Sequence, residues 1–141
     1  MRSAFILLGV LILVTLAACV GPGEERATST PCPPCHEEAI VISQPLLNSM
    51  VASPVHIEGV SDPTFEQTIG FQVLEEGGSI LGQGSTIIEA DWGERGPFAT
   101  DIEFTPPTTR EHGRIVVFAT SARDGGITHL SSVEVALGAA E

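Results

Sequence analysis

The sequence predicts an all-β protein: one seven-stranded antiparallel β-sandwich behind an export signal and a flexible tether. Three observations carry this expectation. From Ile40 onward apolar and polar residues alternate in short runs, turn residues interrupt those runs, and no stretch after residue 39 sustains a 3.6-residue apolar period.

Ile40–Ser43 reads as the first strand, ended by Pro45 and an Asn48-Ser49 turn. Val51 to Val60 follows, with Val55, Ile57 and Gly59 on one face and His56 and Glu58 on the other. Pro54 requires that strand to lie at an edge or to begin after the proline. Gln67 to Glu75 turns Ile69, Phe71 and Val73 inward and stops at Gly77-Gly78. In Ser79 to Ala90, Gly82 and Gly84 indicate a bulge or a close backbone crossing. Phe98 to Thr105 points Phe98, Thr100, Ile102 and Phe104 in and Asp101 and Glu103 out, until Pro106-Pro107. Arg114 to Thr120 and Ser132 to Leu137 complete the set, with Val133, Val135 and Leu137 on one side. Both an immunoglobulin-like and a fibronectin-like wiring fit. The domain has no internal cysteine pair and the chain has no Tyr, so burial of Val, Ile, Leu and Phe must hold the sandwich together.

The N-terminus sets the address. Met1-Arg2 precedes an apolar run, Ala4 to Thr15, that ends in Leu16-Ala17-Ala18-Cys19. A charged start, an apolar centre and small residues before a cleavage point make an export signal over residues 1–18. Spanning a bilayer takes about 20 apolar residues, more than this run supplies. The Leu-Ala-Ala-Cys ending resembles a bacterial lipoprotein signal, which implies acylation of Cys19 and anchoring at the extracytoplasmic face of the cell membrane. Two acyl chains hold durably where one is marginal. Residues 19–38 then read as a Pro-rich tether, able to reach roughly 60 Å in polyproline form, and residues 39–138 as the folded domain.

Removing residues 1–18 leaves 123 residues, enough for one domain, with five basic side chains against 18 acidic ones. The basic residues are all Arg. Such a surface excludes nucleic acid and electrostatic adhesion to anionic lipid.

Cys32-Pro33-Pro34-Cys35-His36 has the spacing of a haem-attachment motif, but its prolines deny it the helical setting that haem or thioredoxin-like chemistry uses. Zinc would need a fourth ligand and a folded cage. A disulfide fits the compartment. Residues three apart in polyproline form lie ~9.3 Å apart, beyond the ~7 Å that a disulfide tolerates. A local Cys32–Cys35 bridge therefore needs a turn, whereas two tethers side by side could bridge into a disulfide-linked homodimer. Free thiols are the third reading.

In the domain, Trp92 is the only Trp and falls in a loop. It is expected either to anchor a partner or sugar, or to cap the end of the core. Asp91 and Glu94, with Glu89, could contribute to calcium binding, although no fixed loop spacing supports it. His56 and His129 fall in or near strands and His112 in a turn, and Ser121-Ala122-Arg123-Asp124-Gly125 reads as a strand running into a turn. No catalytic constellation, metal set or cofactor is expected.

Several segments taken in order then acquire a family. Ile40–Pro45, Ser53–Gly59, Phe65-Glu66, Gly96–Phe98, Phe104–Pro107 and Ser121–Gly125 together resemble the immunoglobulin-like domain of bacterial spore germination, over roughly Ala39 to Leu137. The resemblance implies an immunoglobulin-type sandwich in an exported, envelope-associated protein, and carries no catalytic residues. The expected function is non-catalytic: binding or organising another envelope component, protein or glycan, with a germination role as one reading. The alternative is a carbohydrate- or calcium-binding module using the Trp92 loop.

Overall fold

The computed structural model describes residues 37–138. Among them the strands are β1 (Ile40–Gln44), β2 (Met50–Val51), β3 (Val55–Ser61), β4 (Thr68–Glu75), β5 (Ile80–Ile87), β6 (Gly96–Ile102), β7 (Glu111–Thr120) and β8 (Ile127–Leu137). They form a three-stranded sheet in the order β1-β3-β6 and a five-stranded sheet in the order β2-β8-β7-β4-β5. Every pairing is antiparallel except that of β2 with β8. Strand β5 stays beside β4 rather than crossing to the smaller sheet, unlike the four-plus-three division of a constant-type immunoglobulin domain.

The strand count is eight, not the seven expected. The run read as a single strand from Val51 to Val60 is broken at Ser53-Pro54. Val51 pairs with Leu137 in the larger sheet, while β3 starts at Val55, directly after the proline, and pairs in the smaller one. Pro54 has no N–H to give to a ladder, so the chain changes sheets there. Other boundaries also move, among them the end of β5, at Ile87 rather than Ala90, and the start of β6, at Gly96 rather than Phe98. β7 begins at Glu111, which puts His112 in a strand opposite Ala136 rather than in a turn. β8 begins at Ile127, well before Ser132, and β6 ends at Ile102.

The alternation itself holds. Val55, Ile57 and Gly59 of β3 face the core, as do Ile69, Phe71 and Val73 of β4. Phe98, Ile102 and Phe104 are buried, while Thr100 is half-buried. Ile57, Ile69, Val73, Ile115, Val117 and Leu137 have no exposed surface.

Glycine decides how closely the layers approach. Gly59 lies opposite Phe98 in the β3–β6 ladder, and a Cβ there would meet the Phe98 ring at 2.6 Å as well as the Val41 carbonyl. At the β4–β5 pairing Val73 faces Gly82 but Leu74 faces Ile80, so Leu81 is an extra residue. This is the irregularity that Gly82 and Gly84 indicated. The bulge turns the Leu81 carbonyl out of its ladder, where it accepts a hydrogen bond from Thr105 N–H at 3.0 Å. Gly82 supplies the space, since a Cβ would stand 2.6 Å from the Glu103 carbonyl oxygen.

Gly59→Ala places a methyl against both a ring and a fixed carbonyl. It is expected to cost about 2 kcal/mol or more of stability, read as a lower urea midpoint with an unchanged slope.

Candidate functional site

One end of the sandwich carries a pair of loops held by a single side chain. The turn Phe65–Gln67 leads into β4, and Glu66 and Gln67 both adopt left-handed backbone angles, φ 54° and 53°. That conformation costs a non-glycine residue roughly 1–2 kcal/mol. It buries the Gln67 side chain (5 % exposed) under the loop that joins β5 to β6. There Gln67 Nε2 donates to the carbonyl oxygen of Asp91 at 2.9 Å, with longer contacts to those of Ala90 at 3.4 Å and Glu94 at 3.5 Å. Gln67 Oε1 has no partner among the described residues, so the amide engages the loop through its donor side only.

Trp92 sits at the crest of this clamped loop. Glu94 N–H donates to the Asp91 carbonyl at 3.0 Å, and Gly93 takes the positive φ of 84° that the tight turn requires. The indole is 76 % exposed, so it does not cap the core. Phe65 on the other clamped segment is 57 % exposed, and Ile87, opposite Thr68 at the end of β5, is 65 % exposed. Glu66, Glu89, Asp91 and Glu94 are exposed around them. Among the described residues no three His, Cys, Asp or Glu side chains converge as a metal set, so the carboxylates of this loop do not form a calcium cage. Arg95 is occupied: it pairs with Asp62 at 2.5 Å and Glu37 at 3.2 Å and donates to the Glu38 carbonyl. The chain thus enters the domain at this same end.

The remaining titratable groups are local. On the outer face of the smaller sheet, His56 Nδ1 lies 2.7 Å from Asp101 Oδ1, its cross-strand partner, and Nε2 lies 3.7 Å from Glu58. The Asp101 hydrogen bond, with smaller contributions from the nearby negative charges, raises the imidazole above its ordinary value despite slight desolvation. Asp124 is held below the usual carboxylate range, first by the Gly126 N–H and then by the Ser121 hydroxyl. Ser121 and Asp124 serve the turn between β7 and β8, as their sequence suggests: Ser121 Oγ accepts from Arg123 N–H and Asp124 Oδ1 from Gly126 N–H.

A second surface was not legible in the sequence. The two sides of the sandwich differ in how they close. On the β5–β6 side the layers are joined by Thr105 N–H to the Leu81 carbonyl and Glu89 N–H to the Pro97 carbonyl at 2.8 Å. On the opposite side β1 and β8 face each other without a ladder. Grooves of about 460 and 280 Å³ run between them, lined chiefly by Glu38, Ile40, Ile42, Leu130 and Ser131.

The profile of the immunoglobulin-like domain of bacterial spore germination matches residues 39–126. The chain belongs to that family. No curated protein matches it. The match to the germination domain spans β1 to β7 and ends one residue before β8 begins. Cys19, Cys32, Cys35 and His36 lie outside the described residues, so the lipidation and disulfide expectations concern a part of the chain that the structure does not describe.

Replacing Gln67 by Glu would aim an acceptor at three carbonyls. The variant is expected to lose about 2 kcal/mol and to be cleaved faster in the Trp92 loop under limited proteolysis. His56 should titrate above its ordinary value of 6.5 by NMR, and Asp101→Asn should return it toward that value. A raised folded-state value stabilises fully below the unfolded value and is lost as pH rises through the folded one. The stability gap between wild type and His56→Ala should therefore be widest below pH 6.5 and close at higher pH.

Proposed function

We propose that this protein is a non-catalytic envelope lipoprotein, anchored through Cys19, whose germination-type domain binds or organises another envelope component at the extracytoplasmic face of the membrane. The process is germination-related, as the family suggests. The observation that carries the reading is Trp92: a large aromatic, 76 % exposed, on a loop fixed by a buried side chain. An aromatic carried on a loop whose backbone is already held needs less ordering on binding, so more of its buried area converts to affinity. The acidic rim and the surplus of carboxylates direct the site toward a partner with cationic and apolar character, and away from nucleic acid.

A carbohydrate ligand is the second reading, favoured by the same geometry. A flat exposed indole can stack on a sugar face while Asp91 and Glu94 accept from hydroxyls. Calcium has no comparable support, because the loop carboxylates do not converge.

Membranes carrying the full-length protein, crosslinked in place and compared with Trp92→Ala, test the reading. The expected result is a protein adduct present in wild type and reduced at least about tenfold in a variant with an unchanged melt. Retention of the adduct in Trp92→Ala would remove the loop from the interface, and loss of peptidoglycan pull-down instead would select the carbohydrate reading. Cys19→Ser should shift the protein from the membrane to the soluble fraction.

A further inference from the structure

The open side of the sandwich fits a second copy of this chain. Strand β8 gives its odd-numbered backbone groups to β7, which leaves the even-numbered ones facing outward. At the C-terminal end these are taken: Asn48 N–H donates to the Glu134 carbonyl at 2.7 Å and Ala136 N–H to the Ser49 carbonyl at 2.9 Å. At the N-terminal end the ladder is irregular, since Ala119 faces His129 but Thr120 faces Ile127. Between those limits lies His129–Val133, centred on Ser131, with the N–H and C=O groups of Leu130 and Ser132 unpaired among the described residues.

Natural edges are protected against pairing by charge, proline or cover. Among the described residues this edge carries neither charge nor proline, and β1 faces it across the groove without pairing. Ile127–Val133 contains no Asp, Glu, Lys or Arg, and neither does Ile40–Leu47 across the groove, in a chain with 18 acidic residues. Exposed apolar side chains follow the same line: Leu130 at 56 %, Leu46 at 64 % and Leu47 at 66 %. Two such acidic domains repel over most of their surfaces, and this side is where they can approach with Glu38 as the only carboxylate lining the grooves.

We infer that the protein forms a homodimer by antiparallel pairing of β8 with β8 of a second copy, about a two-fold axis through Ser131. Leu130 of each copy faces Ser132 of the other, and the two pairs exchange about four backbone hydrogen bonds. The two larger sheets become one continuous sheet, and Leu130, Leu46 and Leu47 lose water across the join. The length of chain before the domain agrees with this placement. Glu38 lines the groove beside Ser131, and Cys35 stands three residues before it, at most about 11 Å of chain. Lipid anchoring raises the local concentration of copies and favours the pairing further.

Sedimentation of the full-length protein in detergent, with thiols kept reduced, tests the inference. Wild type is expected to sediment as a dimer at micromolar concentration. Ser132→Pro removes an N–H that has no partner among the described residues and should raise the dimer dissociation constant at least about tenfold. Leu130→Glu, on an exposed side chain, should do the same by setting like charges across the join, with an unchanged melt. A monomeric wild type, a dimer that vanishes on reduction alone, or one indifferent to both substitutions would each overturn the inference. Adduct formation through Trp92 is scored on monomeric variants as well, so its loss does not bear on the dimer.

Discussion

Three glycines in this domain each stand directly opposite a phenylalanine, and the packing of both sheets depends on that arrangement. Gly59 faces Phe98, Gly84 faces Phe71 and Gly70 faces Phe118. In each pair the ring lies over the glycine so closely that a Cβ would meet it within 2.8 Å. A ring laid flat across a neighbouring strand covers backbone that a side chain would otherwise cover, and it brings Phe98 and Phe71 into the core. Without cysteines or tyrosine to staple the layers, this is how so small a set of aromatics fills the space between them.

The same economy of space makes the two sides of the sandwich unequal. On one side Gly82 and the Leu81 bulge let β5 lean onto the segment after β6, and the layers exchange backbone hydrogen bonds. On the other, β1 pairs with β3 alone, and no ladder joins it to β8. The Asn48–Val51 segment reaches β8 only at its C-terminal end, because the chain must turn back at Pro54 to start β3. The N-terminal half of β8 is consequently supported on one edge alone.

Most of the fold was legible, because its information is local. Period-two alternation marked β3, β4 and β6 and their inward residues, and glycine marked the bulge in β5. What escaped was non-local. Met50–Val51 is a strand only because Ala136 and Leu137 lie beside it. Ile127 to Leu130 carries exposed side chains, so it has no apolar period to reveal that it extends β8. The position of Trp92 depends on Gln67, more than twenty residues earlier, whose left-handed backbone and buried amide leave no trace in a window of neighbouring residues. An aromatic in a loop reads equally as a lid or a handle until the residue beneath it is known.

The two surfaces occupy different sides of the domain, and that separation bears on what the protein can do. Trp92 belongs to the loop between β5 and β6, on the closed side, whereas the free stretch of β8 faces the open one. Contact at the loop therefore leaves the edge available. Antiparallel pairing of β8 would direct the Trp92 ends of two copies away from each other, and each strand of eleven residues is only about 36 Å long. A tether of the reach expected from the sequence, roughly 60 Å, would let the proposed lipid anchors of both copies enter one bilayer in that arrangement. Two outward aromatic sites on one rigid sheet can engage two partner molecules at a fixed spacing, which a monomer on a flexible tether cannot impose. On the proposed reading, an organising role would follow from the backbone of β8, and recognition from the loop that Gln67 clamps.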